Sequence, residues 1–167
     1  MHIIIEGPDC SGKTSLALNL AESYGLAYHH EGPPPTNINT TKYYCDILKS
    51  LKKPTVIDRF ALGERVYGPL LRGKDTLGKD GWMVVENLIS TKHIFQITCT
   101  APRFKLYDIY TSRQNEERLT ALQFWASIEK WEELCHNTYV YDYTQRYAKD
   151  FLFKVLNAWD EYDHGIA

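Results

Sequence analysis

Gly7-Pro8-Asp9-Cys10-Ser11-Gly12-Lys13-Thr14 fits G-x-x-x-x-G-K-[ST], and it lies between an apolar β-branched run over residues 2–6 and an amphipathic segment. That context makes it a phosphate-binding loop. Gly7 and Gly12 let the backbone turn its N–H groups inward, with Asp9, Cys10 and Ser11 filling the curve. Lys13 is placed to reach the β- and γ-phosphates, and the Thr14 hydroxyl to hold Mg²⁺. The helix that follows aims its positive dipole end at the same anion. A chain so built must deliver a strand, a tight loop and a helix in immediate succession, which is the start of a parallel α/β sheet.

The rest of the chain continues that alternation. Leu16, Leu20 and Tyr24 recur at helical spacing and stop at Gly25. Residues 26–30, 54–58, 93–99 and 138–143 read as further strands, with helical patterns between most of them. Leu119, Leu122, Trp125, Ile128 and Trp131 mark one long amphipathic helix, and Tyr147, Phe151, Val155 and Trp159 mark another near the end. The predicted fold is therefore α/β: a P-loop NTPase sheet of about five parallel strands with helices on both faces. With 167 residues, no repeat and no low-complexity tract, one domain over residues 1–167 is expected.

Charge and composition narrow the function classes. A formal charge of −2 and a pI near 6.3 argue against a nucleic-acid partner. No apolar stretch approaches the ~20 residues of a membrane span, and no basic n-region of a signal peptide is present. Cys10, Cys45, Cys99 and Cys135 have neither zinc-site nor disulfide-framework spacing, so a cytoplasmic protein is expected.

Val56-Ile57-Asp58-Arg59-Phe60 carries the second constraint. The third predicted strand brings Asp58 and Arg59 to its C-terminal end, where ligands bind in an open α/β sheet. A carboxylate that organises Mg²⁺ or takes a proton, beside a cation that grips phosphate oxygens, suits phosphoryl transfer. A GTPase would need a guanine-reading N-K-x-D after a late strand, and none occurs; Asp75-Thr76-Leu77-Gly78 mimics D-x-x-G only in a polar loop.

In these residues the chain resembles the thymidylate kinase-like family of nucleoside monophosphate kinases. Glu6 to Thr14 is similar to that family's E-G-x-D-x-x-G-K-[ST], and Asp58-Arg59-Phe60 to its D-R-[YF]. Residues 58–73 resemble, more narrowly, short phage-type deoxynucleotide kinases. The resemblance implies ATP and Mg²⁺ as cofactors and transfer of the γ-phosphoryl to a deoxynucleoside monophosphate, thymidylate or a related pyrimidine. It also implies a bacterial or phage-infected cytoplasm and a homodimer through the helices flanking D-R-[YF].

Carried over, the resemblance gives Lys13 and Thr14 to ATP and Mg²⁺. It sets Asp9, Asp58 and Arg59 toward the acceptor phosphate, and Tyr67 beside the sugar. It implies an arginine-bearing lid, here a short one around residues 103–118, with Arg113 and Arg118 as its cations. Phe60 and Arg72 are candidate base contacts. The family's arginine-glutamate-proline after strand two is replaced by His29-His30-Glu31-Gly32-Pro33. Adjacent His29 and His30 must point to opposite faces of a strand, so they do not share a metal. Glu64 and Arg65 read as a solvated helix face, with Glu64 also a candidate contact for the acceptor hydroxyl. The alternatives are a deoxynucleoside kinase, a kinase of bases in DNA of the 5-hydroxymethyluridine type, and a non-enzymatic ATP sensor.

Overall fold

The computed structural model describes residues 1–113, 119–135, 138–145, 150, 151, 153, 154 and 157. Five strands, β1 (His2–Glu6), β2 (Ala27–His30), β3 (Thr55–Asp58), β4 (Phe95–Thr100) and β5 (Tyr139–Asp142), form one sheet in the order β2-β3-β1-β4-β5. Every pairing is parallel, and each strand lies within two residues of its predicted start. Between them run α1 (Lys13–Tyr24), α2 (Thr40–Ser50), α3 (Ala61–Arg72), α4 (Gly78–Thr91), α5 (Arg103–Ser112) and α6 (Ala121–Leu134).

The strand sequence explains the two-sided packing. Along β1, Ile3 and Ile5 point to one face and Ile4 to the other, because side chains alternate along a strand. Ile3 and Ile5 join Leu16, Ala17 and Leu20 of α1, while Ile4 joins Tyr44 and Leu48 of α2 and Val85 and Ile89 of α4. All three isoleucines are at most 1% exposed, which is why β1 reads as a continuous apolar run.

Local chemistry sets the helix ends. The Asn39 side chain accepts the Lys42 amide at 2.9 Å, and Asp75 Oδ1 accepts the amides of Leu77 and Gly78 at the start of α4. Thr120 and Gln123 form a capping box on α6. Gly25 and Gly73 close α1 and α3 in the left-handed conformation.

The long amphipathic helix is α6, with Phe124, Ile128 and Trp131 buried as expected, while Leu122 is 81% exposed. In the expected C-terminal helix, Phe151 packs on Tyr141 with ring centroids 4.9 Å apart. Tyr147, Val155 and Trp159 lie outside the described residues. Among the described residues no helix is long and apolar enough to cross a membrane.

Candidate active site

The chain leaves β1 toward β2 and β3 on one side and toward β4 and β5 on the other, so a crevice opens at the C-terminal end of β1. A cavity of about 1040 Å³ occupies that crevice and runs from the phosphate loop past Arg59 and Tyr67 to Arg72. One edge of one sheet thus supplies the loop and the Asp58-Arg59 pair together.

The phosphate loop closes as its glycines predict. Gly7 has φ 140°, and a Cβ there would stand 2.2 Å from the Cys99 carbonyl oxygen on β4. Gly12, at φ 79°, is the N-cap of α1 and contributes no side-chain cap, so the first amides of α1 are left for an anion. Cys10 holds φ 66° without being glycine, a backbone cost of about 1–2 kcal/mol stored in the loop. The Ser11 hydroxyl is buried without a partner.

Lys13 lies across this loop. Its side chain is 6% exposed, Nζ donates to the Pro8 carbonyl at 2.6 Å, and Asp9 Oδ1 stands 3.8 Å away. Burial pulls the ammonium pKa below its ordinary value, and the Asp9 carboxylate opposes that.

Thr14 Oγ1 donates to Asp58 Oδ2 at 2.7 Å, joining the loop to the end of β3. The same carboxylate oxygen accepts the Tyr28 hydroxyl at 3.0 Å and lies 3.1 Å from His30 Nδ1, both from β2. Tyr28 and His30 are two apart on one strand, so they share a face, while His29 turns the other way to Glu31 at 2.8 Å. Asp58 is fully buried and its Oδ1 has no partner.

Hard oxygen donors at Thr14 and Asp58, one of them buried and unsatisfied, fit Mg²⁺. Among the described residues no group of three His, Cys, Asp or Glu side chains is placed to hold a metal. The Thr14 hydroxyl and the single Asp58 carboxylate suit an ion that is also bound by a ligand's phosphates.

Arg59 departs from the strand. It adopts φ 71°, its amide donates to the Ile5 carbonyl at 2.8 Å, and its guanidinium is half-exposed in the cavity, 3.7 Å from Asp9 Oδ1. Asp9 therefore sits between two cations, Lys13 and Arg59.

Glu6, at the end of β1, is a feature the motif alone does not explain. Its Oε1 accepts the amides of Phe60 and Gly63 at 3.0 and 2.9 Å, capping α3 from a distant strand. Burial pushes its carboxyl up to about 7, against the lowering effect of those amides.

The remaining candidates divide. The Tyr67 hydroxyl accepts the Asp9 amide at 3.0 Å, so it is tied to the loop as well as lining the cavity. Phe60 is 3% exposed and packs edge-on to Tyr44 at 4.9 Å, forming wall more than contact surface. Arg72 reaches the cavity while ion-paired to Glu64.

The reading of Glu64 as solvated is overturned. It is 4% exposed and also accepts the Thr76 hydroxyl at 2.8 Å, because α3 turns that face toward the α3–α4 loop.

In the expected lid, residues 103–112 are helix α5, anchored by buried Leu106 and Tyr110. Arg103 pairs with Glu132 on the surface, whereas Arg113 at the C-cap of α5 lines the cavity. Arg118 lies outside the described residues.

Solved structures share this fold. The YorR protein of Bacillus subtilis, in complex with phosphorylated GDP, superposes with a TM-score of 0.78 at 17% identity over 98% of each chain. The chain has the P-loop kinase fold. Deoxyadenosine kinase from M. mycoides with bound dCTP gives 0.58 at 14% identity, covering 96% of this chain and 100% of that one. Thymidylate kinase from Candida albicans gives 0.58 at 13% identity, covering 97% and 92%. No protein-family model matches the chain, and neither does any curated protein sequence. Identities this low speak for the fold alone, and that fold serves acceptors of different chemistry.

Proposed function

We propose that the protein transfers the γ-phosphoryl group of ATP to a deoxynucleoside monophosphate, thymidylate or a related pyrimidine nucleotide. One observation carries this reading. Arg59 projects a half-exposed guanidinium into the same cavity as the phosphate loop, beside Asp9. A cation there is the electrostatic complement of a phosphate acceptor. The kinases of nucleosides and nucleotides among its structural neighbours support the class.

Most of the catalysis is positioning and charge neutralisation. The uncapped amides of α1 and the loop hold the donor phosphates, and Lys13 exchanges its Pro8 carbonyl partner for phosphate oxygens. Thr14 and Asp58 hold Mg²⁺, which supplies charge neutralisation on the phosphate oxygens when bound. Arg59 aligns the acceptor phosphate, with Arg113 and Arg118 as lid cations. Tyr67 lies against the sugar, and Phe60 and Arg72 flank the base.

A second reading has its own observation. Asp58 backed by His30 can take the proton of a hydroxyl, which would suit a deoxynucleoside as acceptor. ADP release with Mg·ATP separates the two, measured against deoxynucleosides, deoxynucleoside monophosphates including guanylate and 5-substituted uridylates, and single-stranded DNA. Lys13→Ala serves as blank. Turnover confined to monophosphates, with a loss of at least ~100-fold in kcat/KM for Arg59→Ala, is the expected result. Turnover with nucleosides alone favours the second reading, and near-wild-type turnover in a folded Arg59→Ala variant removes the phosphate-acceptor assignment.

A further inference from the structure

Trp131 is 3% exposed on α6, a helix from which the motifs assign no residue to the site. Its indole N–H donates to the Tyr67 hydroxyl at 3.3 Å, and the two rings meet edge-to-face with centroids 6.3 Å apart. The same phenol oxygen accepts the Asp9 amide of the phosphate loop at 3.0 Å. Two N–H groups on one phenol oxygen use up its acceptor capacity, so its own proton is all it can offer a ligand. Tyr67 lines the cavity between the phosphate loop and Arg72, and Asp9 is the loop residue that also meets Lys13 and Arg59.

We propose that Trp131 is a positioning residue that acts through Tyr67. It locks the phenol as a one-way hydrogen-bond donor toward a ligand oxygen and couples α6 to the phosphate loop through Asp9. The ligand atom met by Tyr67 must then be an acceptor, such as a sugar or phosphate oxygen. Burial reinforces this arrangement, because the phenol is held neutral far above its ordinary pKa and keeps the proton it donates. The kinetic part of this inference rests on the phosphoryl-transfer reading; the coupling to the loop does not.

The test uses the full chain and the indole N–H resonances of its four tryptophans, that of Trp131 being identified by its loss in Trp131→Phe. Saturating Mg·ATP is expected to shift the Trp131 resonance in the wild type. In Tyr67→Phe that response is lost while calorimetry still shows ATP bound. A response that persists in Tyr67→Phe, or a wild type that binds Mg·ATP with no Trp131 response, overturns the coupling.

In turnover, Trp131→Phe keeps the ring packing and removes only the N–H. It is expected to raise the acceptor KM by at least about fivefold, with kcat and the ATP KM within about twofold. The double variant with Tyr67→Phe should be no worse than Tyr67→Phe alone. Additive losses, or a uniform fall in kcat with either substrate, would show that Trp131 only packs. A wild type inert toward every acceptor would sink the phosphoryl-transfer reading, and the resonance response would then decide the role of Trp131.

Discussion

Thr14 and Asp58, 44 residues apart in the chain, meet in a 2.7 Å hydrogen bond that joins the phosphate loop to the end of β3. The bond exists because β1 and β3 are parallel neighbours with Ile5 opposite Asp58, so both strands end at the same edge. Asp58→Asn keeps the shape and removes the charge. It should lower kcat by at least ~100-fold and raise the Mg²⁺ concentration needed for half-maximal rate, as read from turnover during a Mg²⁺ titration. An unchanged Mg²⁺ requirement would remove Asp58 from the ion's site.

Arg59 trades stability for placement. At φ 71° a non-glycine residue carries about 1–2 kcal/mol of backbone strain, and its guanidinium is the cation proposed to align the acceptor phosphate. Arg59→Gly should therefore raise the unfolding free energy by up to about 1 kcal/mol while abolishing most turnover. Thermal melts read beside kcat/KM check this, and a lower Tm in the variant would refute the strain argument.

Gly7 has no room for a methyl group. An added Cβ would stand 2.2 Å from the backbone carbonyl of Cys99, in a core strand that cannot give way. Gly7→Ala is expected to cost at least ~2 kcal/mol and to abolish ATP binding, measured by denaturant unfolding and calorimetry. Retention of both would mean that the loop shifts without cost.

Glu6 makes stability depend on pH in an unusual direction. Its folded pKa, about 7, lies above the ordinary 4.5, so the folded state holds the proton more tightly than the unfolded chain. The contribution is present below about pH 4.5 and is lost as pH rises to about 7. Glu6→Gln preserves a carbonyl oxygen for the Phe60 and Gly63 amides and removes the titration. Between pH 5 and 8 the wild type should lose up to a few kcal/mol of unfolding free energy relative to Glu6→Gln, and parallel profiles would show that Glu6 does not titrate there.

The phosphate loop was legible because Gly7 to Thr14 are consecutive and their roles follow from backbone geometry at adjacent positions. The strands were legible because short apolar runs such as residues 2–5 and 54–58 stand between polar, helix-patterned segments. Glu64 was misread because a carboxylate on a helix is usually solvated, and its partners, Arg72 at the end of α3 and Thr76 in the α3–α4 loop, make its burial tolerable. No sequence signal set Tyr28 and His30 on Asp58, since hydropathy patterns do not state which strand lies beside which.

By itself the sequence determined the order of strands and helices, the phosphate loop, and the arrival of Asp58 and Arg59 at a strand end. Those are local properties, set by backbone sterics and by side-chain period along the chain. The tertiary structure alone decided that Glu6 caps α3, that Thr14, Tyr28 and His30 converge on Asp58, and that Trp131 reaches Asp9 through Tyr67. These contacts depend on the order β2-β3-β1-β4-β5 and on how α3 packs against α6, and hydrogen-bond partners so far apart in sequence are chosen only when the sheet assembles.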